Sequence, residues 1–251
     1  MRFNFVLNIA LISIAYILYK SRGSISRIYS IIYLLFGALI MCILLLSEGR
    51  SGFLASLFIV SFFSVAYIYK YYKKFLIVVF ALLIPLLYVG IKHQHRLTSD
   101  FLQREPRLFL WKISIPIIKD DLFLGKGAST AEFELTKVRL EKQDAGQTYL
   151  WSTNKLVDSH NQFIQTTLEF GLIGLLLLLF VYLYPLKMVT KERFVFLSAF
   201  LLICFWQSMF DIFITGQFGI IFAFVLCLIM HTKDSDMHFA FERKNRLYTE
   251  K

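Results

Sequence analysis

Charged residues are scarce in this chain, and cysteines are scarcer still. Only 18% of the 251 residues are charged, whereas 57% are hydrophobic and the mean hydropathy is +0.63. Soluble domains are about 45–50% apolar and about 25% charged. The shortage of charge therefore excludes disorder, a secreted disulfide scaffold and an ordinary soluble enzyme, and it indicates a protein that crosses a membrane several times. The cysteines lie in apolar runs, as small buried hydrophobes: Cys42, Cys204 and Cys227.

Seven apolar stretches approach the length of about 17–25 residues that a helix needs to cross a bilayer. They are 3–19, 28–46, 53–69, 75–91, 163–184, 194–210 and 218–230. The sequence therefore predicts an all-α, polytopic transmembrane bundle. Its expected parts are four spans in 1–91, a large external loop with short helices in 92–162, three spans in 163–230 and a tail in 231–251.

Lysine and arginine are unevenly distributed between the spans. The basic segments are 20–27, 70–74, 185–193 and 231–251, whereas 47–52 has only Arg50 and 211–217 has no basic residue. Basic loops stay in the cytoplasm. We therefore expect a cytoplasmic C-terminus and a large loop on the outer face. Seven spans then place the N-terminus outside, which predicts that the chain is the C-terminal part of a longer protein.

Arg50 is the first candidate binding residue, in the segment Ser-Glu-Gly-Arg-Ser-Gly between two spans. An arginine at a membrane boundary is costly unless it is paired or reaches the head groups, so one interpretation is a snorkelling side chain paired with Glu48. The other interpretation is an anion clamp. Gly49 and Gly52 would let the backbone approach a ligand, and a guanidinium matches the oxygens of a phosphate.

A second basic element opens the large loop, where residues 104–118 have helical spacing and Pro106 suits a first turn. On the membrane surface this helix would present Arg104, Arg107 or both, either to a ligand or only to lipid head groups. Further along, Gly125-Lys126-Gly127 lacks the spacing of a phosphate-binding P-loop. We interpret it as a tight turn.

His160 is the candidate base, in the segment Asp-Ser-His-Asn-Gln before a long span. Asp158 or Ser159 could cap the helix of that span, and the histidine could be only a polar helix end. Imidazole is, however, the side chain best suited to take a proton from a hydroxyl near neutral pH. Asp158 could orient the ring.

Glu169 is an acid well inside a predicted span, about 13 Å deeper than His160 on a helical rise. Acids within a membrane are often functional. Here we favour a structural role, a hydrogen bond between two helices, because Gly171 and Gly174 suit close helix packing.

Asp211 completes the candidate set at the outer end of the sixth span, where it could pair with Arg50 or Arg107 or be solvated.

His93 and His95 lack partners at metal-ligand spacing. No nucleotide-binding motif is present. We therefore expect no metal, no cofactor and no nucleic-acid partner. A lipid-linked diphosphate would satisfy the arginines and the base on the outer face.

Three segments carry a resemblance to a known family. They are Ser-x-x-Arg-Ser-Gly at 47–52; Arg-Leu-Phe-Leu-Trp at 107–111 with Asp-Leu-Phe-Leu-Gly-Lys-Gly at 121–127; and Ser-His-Asn-Gln-Phe-Ile-Gln at 159–165 with Glu-Phe-Gly-Leu-Ile-Gly at 169–174. In order and topology they cover about residues 35–185. The chain resembles the O-antigen ligase and polymerase superfamily of bacterial membrane glycosyltransferases.

The resemblance implies an all-helical enzyme of the GT-C type in the bacterial inner membrane, with its large loop in the periplasm. It implies metal-independent transfer of a glycan from undecaprenyl diphosphate to an acceptor hydroxyl, with inversion at the anomeric carbon. By position, Arg50 and Arg107 would bind the donor diphosphate and His160 would activate the acceptor. The auxiliary candidates are Arg104, Asp158, Glu169 and Asp211.

The resemblance leaves the acceptor open. The two arginines and the histidine follow the ligases, which favours lipid A–core. A surface-polysaccharide polymerase and a protein-glycosylating oligosaccharyltransferase are alternatives of the same class, and a non-enzymatic membrane transporter is one of another class. A transporter would not explain polar residues gathered on one face. Family members usually have more spans, so we expect that this chain lacks the first helices of the fold. It would then be a truncated reading frame that is inactive alone, a fragment of a longer protein, or a minimal relative.

Overall fold

The computed structural model describes residues 2–20, 25–47, 50–71, 106–144, 156–214 and 217–231. Within these ranges every regular element is a helix, which confirms the predicted all-α class. The helices are α1 (Arg2–Lys20), α2 (Arg27–Leu46), α3 (Arg50–Tyr71), α4 (Pro106–Asp120), α5 (Thr130–Asp144), α6 (Gln162–Leu183), α7 (Pro185–Met188), α8 (Lys191–Phe210) and α9 (Gln217–His231).

Among the described helices, four are long and apolar enough to cross a membrane. They cover Arg27–Leu46, Gly52–Lys70, Gln162–Met188 and Arg193–Phe210. Two shorter helices are also apolar, over Asn4–Lys20 and Gln217–His231. Six of the seven predicted spans thus coincide with apolar helices, and the predicted span 75–91 lies outside the described residues. The division into four spans, loop, three spans and tail stays a prediction.

The chain divides into two compact units, and the first contains residues 1–64, 183–207 and 214–251. Helix α1 packs against α2 in this unit. Aromatic rings join α1 to the later helices: Phe5 meets Phe218 with ring centres 5.5 Å apart, and Tyr16 meets Phe196 at 5.1 Å. Much of α2 exposes large apolar side chains, as a helix that faces lipid does.

Two asparagines on α1 fix the region where α2 ends and α3 begins. Asn4 Nδ2 donates to Ser47 Oγ at 3.0 Å, and Asn8 Nδ2 donates to the Gly52 carbonyl at 3.1 Å. Both asparagines are buried. A Cβ atom at Gly52 would lie 2.6 Å from Asn4 Nδ2, so glycine is needed for this close approach. The backbone at the start of α3, where Arg50 lies, is therefore held against α1.

The second unit contains residues 65–182 and 208–213. Within it, α4 and α5 pack on each other and on the start of α6. The predicted helix at 104–118 is observed as α4, which begins at Pro106, a residue preorganised for a first helical turn. The shared core consists of Leu110, Ile113, Ile117, Ala131, Leu135, Val157 and Leu168.

Candidate functional site

Helix α6 has a break in its backbone at Gly171. This residue has φ 61° and ψ −158°, a region that is essentially limited to glycine. A Cβ atom there would overlap the Phe123 carbonyl, and a Cβ atom at Gly125 would lie 2.6 Å from the Glu169 carbonyl carbon. We predicted that Gly171 serves packing between helices. That was wrong, because the backbone it admits belongs to the turn at 121–127.

The turn at 121–127 docks on this break through main-chain hydrogen bonds. Left-handed backbone at Gly125 (φ 72°) and Gly127 (φ 88°) confirms the predicted tight turn. The bonds join Lys126 N–H to the Leu168 carbonyl (2.7 Å), Gly127 N–H to the Glu169 carbonyl (2.9 Å) and Leu172 N–H to the Leu122 carbonyl (2.7 Å). The groups at 168 and 172 would pair in an unbroken helix, so the turn replaces the bond that the break removes.

The lysine of this turn forms an ion pair with an aspartate of the same turn. Lys126 Nζ lies 2.5 Å from Asp121 Oδ2. The hydrogen bond to Asp121 raises the pKa of Lys126 above the usual lysine value. Its ammonium therefore stays charged and directed at the turn, in agreement with the absence of a P-loop pattern.

His160 lies in the loop before α6 and is paired with Asp158. Its Nδ1 is 3.1 Å from Asp158 Oδ1, and the same oxygen accepts the backbone N–H of His160 at 2.8 Å. A carboxylate can only accept, so the neutral ring carries its proton on Nδ1 and its lone pair on Nε2. Both side chains are about one-third exposed, at 35% and 34%. A substrate can therefore reach a histidine whose tautomer and orientation are fixed.

The cap of α6 is Asn161, whereas the sequence favoured Asp158 or Ser159. Asn161 Oδ1 accepts the backbone N–H groups of residues 163 and 164 at 2.9 and 3.1 Å. His160 has a left-handed φ of 48°, which turns the chain before the helix begins. The Asp158 carboxylate therefore faces His160 instead of the helix.

A chain of three hydrogen bonds, two of them buried, holds the backbone next to His160. Trp111 Nε1 donates to the Ser159 carbonyl at 2.9 Å, and the Ser159 N–H donates to Gln165 Oε1 at 3.1 Å. Gln165 Nε2 then donates to Glu169 Oε1 at 2.8 Å. The predicted bond from Glu169 to another helix was wrong, because its carboxylate accepts from one turn earlier in α6. Glu169 supports the loop through Gln165.

Arg107 lies on the side of α4 that faces this loop. It stands one helical turn before Trp111, so the two side chains share a face. Since the Trp111 indole donates to the Ser159 carbonyl, that face is directed at the residue next to His160. Arg107 is half-buried, and within the described ranges no carboxylate forms an ion pair with it. The neighbouring candidate Arg104 lies outside the described residues.

Arg50 and Asp211 are the two remaining predicted site residues. Arg50 is the first residue of α3, in the first unit, and its side chain is not among those that the structure describes. Asp211 follows the end of α8, and its Oδ1 accepts the backbone N–H of Ile212 at 2.9 Å. In the part of the chain that is described, Asp211 forms no ion pair with Arg107.

Glu132 on α5 is an acid of this region that the sequence reasoning missed. Burial and the negative charges of Asp158 and Glu169 raise its pKa above the usual glutamate range. Thr136, one turn later, accepts the Val157 N–H at 3.0 Å and so ties α5 to the segment before His160. Among the described residues, no group of three His, Cys, Asp or Glu side chains could hold a metal ion.

The sequence contains a signal for some of the missed residues. Asn161, Gln165 and Glu169 follow one another at intervals of four, so they form a polar stripe on one face of a helix that is otherwise apolar. That stripe predicts a polar environment at the start of α6. Trp111 and Glu132 carry no such pattern, because their partners are distant in the sequence.

A comparison with protein-family models identifies the same family as the sequence motifs do. The model described as O-antigen ligase matches residues 34–179, more than half of the chain. The matched range contains Arg50, Arg107 and His160. A comparison with curated proteins gives no match. Together with the apolar helices, the family match shows that this membrane protein belongs to the O-antigen ligase family, a family of glycosyltransferase-type enzymes.

Proposed function

We propose that the chain transfers a glycan from undecaprenyl diphosphate to a hydroxyl of lipid A–core, at the periplasmic face of the bacterial inner membrane. The observation that carries this proposal is the accessible Asp158–His160 pair, with Nδ1 at 3.1 Å from the carboxylate. The pairing leaves the basic lone pair on Nε2, as deprotonation of an alcohol requires. The basic segments 20–27, 70–74, 185–193 and 231–251 support a cytoplasmic C-terminus and a periplasmic large loop.

In the proposed reaction His160 Nε2 takes the proton of the acceptor hydroxyl. The oxygen attacks the anomeric carbon from the face opposite the diphosphate. The new carbon–oxygen bond forms as the bond to the diphosphate oxygen breaks, so the configuration inverts and undecaprenyl diphosphate leaves. Asp158 stabilises the imidazolium that results, as the carboxylate of a catalytic triad does.

Arg107 is proposed to hold the diphosphate of the donor, together with Arg50. Charge-assisted hydrogen bonds to phosphate oxygens are strong, and they strengthen as negative charge develops on the leaving group. The position of Arg107 on the loop-facing side of α4 supports this role, because the same face reaches the residue beside His160.

Deletion of the gene, followed by gels of surface polysaccharide and of lipid-linked glycan, tests the acceptor. A ligase predicts loss of long chains from lipid A–core while polymer accumulates on the carrier. Core that carries at most one repeat would instead identify a polymerase. An unchanged pattern would contradict both, and glycosylated protein lost from the same cells would then identify a protein acceptor.

Substitution of His160 by alanine separates an enzyme from a transporter. General-base catalysis contributes about 10²–10⁴-fold to a rate, so we expect transfer to fall by this factor while the purified chain still binds donor. Arg107→Ala should weaken donor binding about 10- to 100-fold, from the loss of a charge-assisted bond. Lys112→Ala, an exposed lysine of the same helix, is the control. Full activity of His160→Ala would refute the mechanism.

A further inference from the structure

A cavity of about 430 Å³ lies in the first unit, between α1, α8 and α9. Most of its wall is apolar and is formed by side chains that include Ile9, Ile17, Phe196, Val225 and Leu228. Its volume lies in the range of about 300–1,000 Å³ that small-molecule sites occupy. An apolar cavity between membrane helices suits a hydrocarbon chain.

Two cationic residues also line this cavity. Lys20 is the last residue of α1, and Arg193 lies in the first turn of α8. Arg193 is buried, with 8% of its surface exposed, and its Nη1 donates to the Ile229 carbonyl at 2.9 Å. Both residues border basic segments for which the positive-inside rule predicts a cytoplasmic location.

Lys20 lies far along α1 from the contacts that hold the start of α3. Asn4, which bonds Ser47, precedes Lys20 by sixteen residues, or about 24 Å of helix. The cationic end of the cavity is therefore separate from the end of the first unit where Arg50 begins its helix, whereas the apolar end extends along α1 to Ile9.

We propose that this cavity binds an anionic glycerophospholipid. One acyl chain would occupy the apolar part, and Lys20 and Arg193 would bind the phosphate. Basic pockets between transmembrane helices on the cytoplasmic side recognise acidic head groups, and a guanidinium fork suits phosphate oxygens. A choline head group would add a positive charge beside the two cations. The proposal does not depend on the transfer reaction.

Lipid binding to the purified full chain tests the site. Native mass spectrometry would compare phosphatidylglycerol with phosphatidylcholine of the same acyl chains. We expect at least tenfold tighter binding of phosphatidylglycerol, and Lys20→Gln should weaken it about fivefold. Lys70→Gln, which removes a last-turn lysine of α3 that does not line the cavity, should leave it unchanged. Val225→Phe fills the apolar part, keeps both charges, and should weaken binding of both lipids.

Equal affinity for the two lipids would overturn the proposal, because the cavity would then accept chains without selecting a head group. Equal effects of Lys20→Gln and Lys70→Gln would overturn it as well, since any lysine of the protein would then attract the acidic lipid to the same extent. Undecaprenyl phosphate that displaces phosphatidylglycerol at a tenth of its concentration would also refute it. The test relies on Lys20→Gln and Val225→Phe and leaves Arg193 in place, because Arg193 is buried and its Nη1 bonds the Ile229 carbonyl.

Discussion

The two halves of α6 differ in what they bury, although they belong to one helix of the same apolar span. Before Gly171 the buried residues are mostly polar: Gln162, Gln165, Thr166, Thr167 and Glu169. After Gly171 the large apolar side chains are exposed: Leu176, Leu177, Phe180, Val181 and Leu183. The first half is covered by the large loop, whereas the second half presents the surface that lipid requires.

The difference shows how one predicted span serves two purposes. A polar side chain is tolerated in a low-dielectric environment when every polar group finds a partner. In the first half most of these partners lie within α6 itself, as in the bonds from Gln162 Nε2 to Thr166 Oγ1 and from Gln165 Nε2 to Glu169 Oε1. The loop adds the Ser159 N–H, which donates to Gln165 Oε1, and the main-chain bonds of the turn at 121–127. The second half needs fewer partners, because most of its side chains are apolar. Its one buried polar side chain, Tyr182, bonds through its hydroxyl to Ser208 Oγ at 2.6 Å. The break at Gly171 is the boundary between the two.

Replacement of Gly171 by alanine should have the largest effect on this boundary. A side chain at this φ and ψ costs up to about 3 kcal/mol in backbone strain, and overlap with the Phe123 carbonyl adds to that cost. We expect the free energy of unfolding to fall by about 3 kcal/mol or more, measured by thermal unfolding in detergent. Gly37→Ala in α2 is the control, because its nearest neighbour would lie 3.8 Å away. Equal stability of the two variants would show that the break is not needed.

Substitution of Gln165 by leucine should have an intermediate effect, because it removes the acceptor of the buried Ser159 N–H. A buried donor without a partner costs about 1–3 kcal/mol. We expect this loss in the free energy of unfolding, together with slower glycan transfer if His160 is the base. Leu177→Ala, on the exposed second half, is the matched control and should change stability by less than about 0.5 kcal/mol. A larger loss from Leu177→Ala would reverse the comparison.

Glu132→Gln should have the smallest effect, visible in the pH dependence of stability. Burial and two neighbouring carboxylates raise the pKa of Glu132 in the folded chain. The folded state then binds this proton more tightly than the unfolded state, so its contribution is present below the unfolded pKa and is lost as pH rises through the folded pKa. The variant should therefore gain stability relative to the parent as pH rises through that window. Glu141→Gln, exposed on the same helix, should show no gain.

Much of the fold could be predicted because the membrane imposes strong constraints on the sequence. Apolar runs of span length predicted six helices that the structure contains, whereas the orientation drawn from the distribution of lysine and arginine stays a prediction. Pro106 marked the start of α4, and the glycines at 125 and 127 marked the turn, because each has a local conformational preference. His160 and Arg107 were selected by chemistry and motif, and their roles stay proposals.

The long-range contacts of the site could not be predicted, since they join residues far apart in the chain. Trp111 and Ser159 are 48 positions apart, and the turn at 121–127 meets α6 across a similar distance. The sequence alone suggested that Asp158 or Ser159 caps α6 and that Glu169 reaches another helix. The φ of His160 decided the first of these, and the position of Gln165 decided the second.

The sequence by itself determined the all-helical class, most of the spans and the motifs of the O-antigen ligase family, because hydropathy, charge and local backbone preference act over a few residues. Only the tertiary structure decided that α6 breaks at Gly171 to admit a loop, and that the His160 loop rests on Trp111 and Gln165. These features depend on hydrogen bonds that form only when distant segments meet, and on burial that makes an unpaired polar group costly.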